Sequence, residues 1–200
     1  MSNAPVPSLP QTVQIDSQEF TLRTMSGADR EAVLEFARSL SEHDLLFLRR
    51  DITRVEVVDE WLREIDAGEA TTIVADSGGA IGGYATVYRS ALPWTAHVGE
   101  LRVVTSPGLR GMGLGRILTG HAFDLALAQG IEKMVAQMTL DQEAAIATFQ
   151  ALGFRPEAVL RDHVRDRAGR KHDLIVLTHD VARFERERQT YGVLEAFDRP

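Results

Sequence analysis

Apolar positions in this chain switch between a period of two and a period near 3.6, and the switches outline the elements. From Thr12 to Arg23 apolar and polar residues alternate, which predicts a first strand. Val33, Phe36, Ala37 and Leu40 then recur at helical spacing behind Ser26-Gly27-Ala28-Asp29, a run shaped like a capping box. A second helix follows in Val58, Trp61, Leu62 and Ile65 and ends near Gly68. Thr71 to Ala75 and Ala80 to Tyr88 predict a hairpin turning over Asp76-Ser77-Gly78-Gly79. Ala96 to Thr105 is the next strand. Leu114, Ile117, Leu118, His121, Ala122 and Leu125 form one helical stripe, stopped by Gly130. Ile131 to Thr139 reads as a strand, and Asp141 is placed to cap a helix running to Leu152. Ala158 to Val164 and His172 to Thr178 flank the polar turn Asp166-Arg167-Ala168-Gly169, and Val181 to Gln189 predicts a charged helix.

No repeat, low-complexity block or domain boundary interrupts this order. Residues 1–11, with three prolines and no periodicity, read as a tail; residues 12–180 read as one domain; residues 181–200 read as a helical tail. A chain of 200 residues that is 44% hydrophobic and 26% charged can bury a sizeable core. No apolar run is long enough to span a bilayer, and no signal core opens the chain, so no membrane role is expected. With no cysteine, disulfides and thiol nucleophiles are excluded, which fits a cytoplasmic protein. The net charge of -7 argues against nucleic-acid binding, which needs a basic face. Lys133 and Lys171 are the only lysines, so nearly all positive charge is arginine.

One segment changes the picture. Leu109-Arg110-Gly111-Met112-Gly113-Leu114-Gly115-Arg116 follows a strand and opens an amphipathic helix. Glycines at that spacing let main-chain N–H groups turn inward, and the helix adds its own free N–H groups and positive dipole end. Together they suit a phosphate or pyrophosphate. The loop is not a P-loop, because no Lys-Ser/Thr follows the last glycine. It is not a Rossmann loop either: the glycines fall in mid-chain as G-x-G-x-G, and the expected acidic residue would lie near Ala136, inside an apolar strand.

The stretch V-G-E-L-R-V-V-T-S-P-G-L-R-G-M-G-L-G-R-I-L resembles the core of the GNAT-type N-acetyltransferases, whose R/Q-x-x-G-x-G/A loop is matched by Arg110, Gly113 and Gly115. Asp141 to Phe154 (DQEAAIATFQALGF) resembles the later helix of the same family. The resemblance covers Val98 to Phe154 well and the flanking strands loosely. It implies an α/β fold, a strongly twisted mixed sheet with helices on both faces, in the order β-α-α-β-β-β-α-β-α-β-β. It also implies acetyl-CoA as co-substrate, with its pyrophosphate held by residues Leu109, Arg110, Gly111, Met112, Gly113, Leu114, Gly115 and Arg116. The main chain of Val103 and Val104 would pair with the pantetheine arm and supply an oxyanion donor.

Acetyl transfer needs a neutral amine, and Glu100, on the strand feeding the loop, is the candidate general base. Its alternative role is an ion pair with Arg102, two residues along on the same face. The resemblance implies a general-acid tyrosine where this chain has Phe149 and an asparagine where it has Gln142. Either the thiolate leaves without an assigned acid, or Tyr84, Tyr88, His163 or His172 substitutes. Phe149 also fits a core anchor, and His121 a packed structural histidine. His97, His163, His172, Asp162 and Asp173 have no metal-site spacing, so no metal is expected. The cluster around Arg161-Asp162-His163 and His172-Asp173 reads either as an acceptor contact or as a solvated hairpin, and the helical segment Ser39 to Thr53 resembles the substrate-covering region of the family.

The leading reading is therefore an N-acetyltransferase using direct attack in a ternary complex, with a small amine or amino-acid derivative as acceptor. A protein lysine or N-terminal amine is the alternative acceptor. An acyl-CoA-binding regulatory module and a nucleotide-binding protein are the competing functions, and the arginine- and glutamate-rich C-terminal helix offers a surface for a homodimer.

Overall fold

The computed structural model describes residues 9–46, 48–166 and 168–181. The charged helix expected over Val181 to Gln189 lies outside them after its first residue, as does the N-terminal tail up to residue 8. Thirteen elements run in the order β1 Gln11–Ile15, β2 Gln18–Thr24, α1 Arg30–Ser39, α2 Glu42–Leu46, α3 Val55–Asp66, β3 Ala70–Ser77, β4 Ala80–Arg89, β5 Val98–Thr105, α4 Leu114–Ala128, β6 Lys133–Thr139, α5 Glu143–Ala151, β7 Arg155–Arg165 and β8 Lys171–Asp180. All eight strands form one sheet, ordered β1-β2-β3-β4-β5-β6-β8-β7. Among the described strands only β5 and β6 run parallel, so the sheet is mixed.

Both sheet faces are covered. On one, α1 and α3 bury Val33, Leu34, Phe36, Ala37, Val58 and Trp61 against Val74, Ile81 and Tyr84. On the other, α4 and α5 bury Leu114, Leu118, Ala122, Phe123, Ala126 and Phe149 against Ala85, Val87, Leu101, Met134 and Ala136. The buried face of α4 is turned slightly from the expected stripe: Phe123 and Ala126 are inside, while Ile117, His121 and Leu125 are half-buried. Burial lowers the basicity of His121 against the pull of Asp124.

Three expectations change. Thr12 to Arg23 is a tight hairpin rather than one strand, because Asp16 adopts φ 55 and turns the chain between β1 and β2. Aspartate tolerates that left-handed geometry better than most side chains, and alternation on both sides masks the break. The helix after β6 is preceded by Gln142, not capped by Asp141; the Gln142 side-chain oxygen instead accepts from the Thr139 N–H at 3.2 Å. Asp141 faces His43 of α2 at 3.7 Å. The short helix α2 has no counterpart in the expected order, and Ser41 and Asp44 build it: Asp44 N–H donates to Ser41 Oγ (3.2 Å) and Ser41 N–H to Asp44 Oδ2 (3.1 Å). No described helix is long and apolar enough to cross a membrane.

Candidate active site

The sheet parts between β5 and β6. Their parallel pairing runs from Val98–Lys133 to Glu100–Val135 and stops, while β4 stays paired with β5 as far as Thr105. Beyond Glu100 one edge of β5 is therefore open. Main-chain groups alternate sides along a strand, so two hydrogen bonds fix which residues face the gap. Ser106 N–H donates to the Gly82 carbonyl on the β4 side (2.8 Å), and the His97 carbonyl accepts from Glu132 and Lys133 on the β6 side (2.8 and 3.1 Å). Even-numbered residues thus face β4, and Leu101, Val103 and Thr105 face the gap. The open main chain belongs to Val103 and not to Val104, whose groups face Tyr84 on β4. The side chains of Val103 and Val104 pack against the two cores, one on each face.

The glycine loop lies at the end of β5. A turn at Pro107–Leu109 leads to Gly111 with φ 76 and Gly113 with φ 90, and α4 starts at Leu114. Both torsions are in the left-handed region, where glycine carries little penalty. The N–H groups of Leu109, Arg110 and Met112 donate inside the turn, to Ser106, Pro107 and Leu109 carbonyls at 3.0, 3.4 and 3.4 Å. The first main-chain bond of α4 runs from Ile117 N–H to the Gly113 carbonyl at 3.1 Å. Among the described residues, the N–H groups of Gly111, Gly113, Leu114 and Gly115 have no main-chain or side-chain acceptor. A Cβ at Gly111 or Gly113 would meet nothing within 4 Å, so the space beside these two residues is open. Leu114 is buried and anchors the turn to the core. Arg110 points its guanidinium at Asp44 of α2, with Nη2 to Oδ1 at 2.7 Å. Burial works against ionising Asp44, but the bonds from Arg110 and Ser41 prevail and hold its carboxyl below the usual range.

Glu100 occupies the fork where β5 leaves β6. Its Oε1 accepts from Arg102 Nε at 2.8 Å and lies 2.7 Å from Arg102 Nη2; its Oε2 is 3.5 Å from Arg49 Nη1. The same-face pair with Arg102 is therefore formed. Arg102 also reaches across the gap, its Nη1 donating to the Gln137 carbonyl on β6 at 2.7 Å. Opposite Glu100 in register is Tyr88, with the Arg49 guanidinium 4.5 Å and the Arg50 guanidinium 5.5 Å from its ring centre. Arg50 is committed to Glu64 at 2.5 Å. Burial pushes the Tyr88 phenol up, against the two arginines, so it is neutral at physiological pH.

The remaining candidates separate. Phe149 is buried and meets Phe154 edge-on at 4.9 Å, a core anchor. Tyr84 is walled in by Phe36 and Trp61, at 5.9 and 5.1 Å between ring centres, and burial raises its phenol. His172 lies 3.1 Å from Asp166 in the turn joining β7 to β8, and Arg170 Nε completes that cluster at 2.8 Å. Asp173 accepts the Asp162 N–H at 2.9 Å. His172 and Asp173 are thus engaged within the hairpin, while Arg161, Asp162 and His163 are exposed.

A model of the acetyltransferase (GNAT) family matches residues 34–154, more than half of the chain. The chain belongs to that family. As a member it is an acetyltransferase with acetyl-CoA as co-substrate. Streptothricin acetyltransferase of Streptomyces lavendulae is 32% identical over 89 residues, which cover 44% of this chain and 46%, less than half, of that relative. Phosphinothricin N-acetyltransferase of Streptomyces viridochromogenes is 27% identical over 172 residues, 83% of this chain and 86% of the relative. The Salmonella typhimurium protein yncA, solved with its cofactor acetyl-CoA, superposes with a TM-score of 0.69 at 25% identity, covering 81% of this chain and 94% of that one.

The sequence marked the segment Ser39 to Thr53 without singling out Asp44 or Arg49 within it, and it gave no sign of Gln137 as a neighbour of the site. A signal existed for Asp44, since Ser41-Glu42-His43-Asp44 has the spacing of a capping box. Arg49 sits in irregular backbone with no period to read, and Gln137 contributes only its carbonyl.

Proposed function

We propose that this protein transfers the acetyl group of acetyl-CoA directly to the primary amine of a small amino-acid-like acceptor. The observation that carries the reading is the parting of β5 from β6 immediately after Glu100, with the unpartnered N–H groups of the glycine loop at its far end. These features fit the coenzyme. Gly111, Gly113, Leu114 and Gly115 would donate to its diphosphate, helped by the positive end of α4. Val103 would offer its main-chain carbonyl to the amide-bearing arm, as an added strand would be held. When bound, acetyl-CoA supplies the acyl group as an activated thioester.

Glu100 then takes the proton that the acceptor's ammonium must lose before attack, directly or through one water. The Arg102 guanidinium holds the carboxylate at the fork. One Val103 main-chain N–H stabilises negative charge developing on the reacting carbonyl oxygen. A thiol is a good leaving group, which is compatible with Phe149 standing where relatives of the resembled pattern carry tyrosine. Tyr88, the neutral phenol in register with Glu100, is the side chain best suited to assist that departure.

The two small-molecule acetyltransferases among the relatives support a small acceptor rather than a protein amine. The buried Phe149 supports one second reading, an acyl-CoA-binding module without turnover. Calorimetry with acetyl-CoA, followed by thiol release across a panel of amines, tests both. Micromolar binding with turnover is expected; binding without turnover favours the module, and a preference for ATP or NAD overturns the assignment.

A further inference from the structure

We infer that Arg49 reads a carboxylate on the acceptor, so that the preferred substrates are α-amino acids with a free acid group and not diamines or other cations. This rests on the proposed role of Glu100 and adds the substrate class. Three guanidinium groups surround the fork, and two are committed: Arg102 to Glu100 and the Gln137 carbonyl, Arg50 to Glu64. Arg49 is different. Its Nη1 is 3.5 Å from Glu100 Oε2, the outer limit of a hydrogen bond, and its side chain is 48% exposed. Its position comes instead from the face of Tyr88, 4.5 Å away, a platform buried in the sheet. A planar cation stacked on an aromatic ring keeps its N–H fork available to a partner in the ring plane's surroundings. A carboxylate accepts such a fork with two parallel bonds.

The charges have a definite order. Glu100 Oε2 provides one negative point, and Arg49 provides a positive point 3.5 Å beyond it. An α-amino acid presents the complementary pair, ammonium then carboxylate, separated by two bonds. Its ammonium meets Glu100 while its carboxylate meets Arg49, so the amine that must be deprotonated is delivered to the base. An acceptor bearing a second cation would instead set that charge beside Arg49 and Arg102, and like charges there oppose binding. The chain's net charge of -7 attracts cations at long range, yet the charge balance at the fork is reversed.

The test compares L-α-amino acids with their carboxamides and their decarboxylated amines, by thiol release at saturating acetyl-CoA. In the wild type, kcat/KM for the free acid should exceed that for its carboxamide by about 10- to 100-fold, the worth of one charge-assisted contact. Arg49→Gln should collapse that ratio towards one through KM for the acid, and Arg49→Lys should restore part of it. Equal use of acids and carboxamides by the wild type, preference for diamines, or a proportionate loss for all acceptors in Arg49→Gln would overturn the inference. If no amine is turned over, the catalytic proposal fails by itself. Calorimetry of an N-acetyl-amino acid against the protein with CoA then still decides: binding lost in Arg49→Gln upholds the carboxylate site, and no binding to the wild type refutes it.

Discussion

Asp44 of the short helix α2 is ion-paired with Arg110 of the glycine loop, 2.7 Å from Oδ1 to Nη2. The pair spans two segments that carry different jobs, since α2 precedes Arg49 by a few residues and the loop borders the phosphate donors. It also neutralises the positive side chain closest in sequence to Gly111. Asp44→Asn should therefore tighten acetyl-CoA, by about two- to fivefold, the range of a surface ion pair. Calorimetry checks this, and the gain should shrink as salt rises. The same substitution weakens the Ser41–Asp44 cap, so hydrogen exchange across residues 41–46 should speed up.

A bulky residue at Gly113 tests the loop. The position has φ 90 with open space around an added Cβ, so Gly113→Val costs backbone strain of about 1–2 kcal/mol and no clash with the core. Thermal unfolding should show a folded protein, and acetyl-CoA affinity should fall at least about tenfold as the donors rotate away. Intact affinity in the folded variant would remove the loop from coenzyme binding.

Glu100→Gln keeps the shape of the fork and removes the base. Turnover should drop about 10²- to 10⁴-fold, with the acetyl-CoA dissociation constant little altered. The residual rate should climb at higher pH, where free amine no longer depends on a protein base. Unchanged kinetics would leave Glu100 as a structural partner of Arg102 alone.

Away from the site, Arg23 forks onto Asp29, with Nη1 to Oδ2 at 2.9 Å and Nη2 to Oδ1 at 2.6 Å, and also binds Asp76. Burial penalises the Asp29 carboxylate, but the Arg23 fork and the Ser26 N–H outweigh it and keep its pKa below the ordinary value. Asp29→Ala leaves the guanidinium with one partner instead of two. Chemical denaturation should show a loss of about 2 kcal/mol, less than for a fully buried pair because Arg23 is 29% exposed.

The turn joining β7 to β8 should respond to acid. His172 and Arg170 lower the Asp166 carboxyl from 3.8 to about 2. A depressed folded-state pKa means that its contribution is present above pH 3.8 and is lost as pH falls through about 2. Hydrogen exchange at Gly169 and Arg170, whose N–H groups bond to Asp166, should stay slow at pH 4 and accelerate towards pH 2.

Much of this was written in local pattern. Alternating glycines before an apolar stripe announced the loop and α4, because left-handed torsions and a buried face each demand particular residue types. Glu100 and Arg102, two apart on a strand, had to share a face. What escaped depends on contacts between distant segments. The Arg49–Glu100 and Arg110–Asp44 pairs join residues 51 and 66 positions apart, through backbone whose spacing carries no period. Asp16 escaped for the opposite reason: the strands on either side keep the same alternation, and one residue at φ 55 reverses the chain without disturbing it. The order of strands in the sheet came from resemblance, since periodicity says nothing about neighbours.

The parallel joint between β5 and β6 is only three residues long, and beyond it each strand keeps its ladder to its other neighbour while Arg102 reaches across the gap. Ladder bonds do not set the width of the slot; the Arg102 side chain, paired with Glu100 and donating to the Gln137 carbonyl, spans it. Arg102 is a clasp between two diverging planks, so shortening its side chain would retune coenzyme affinity from outside the coenzyme's own contacts.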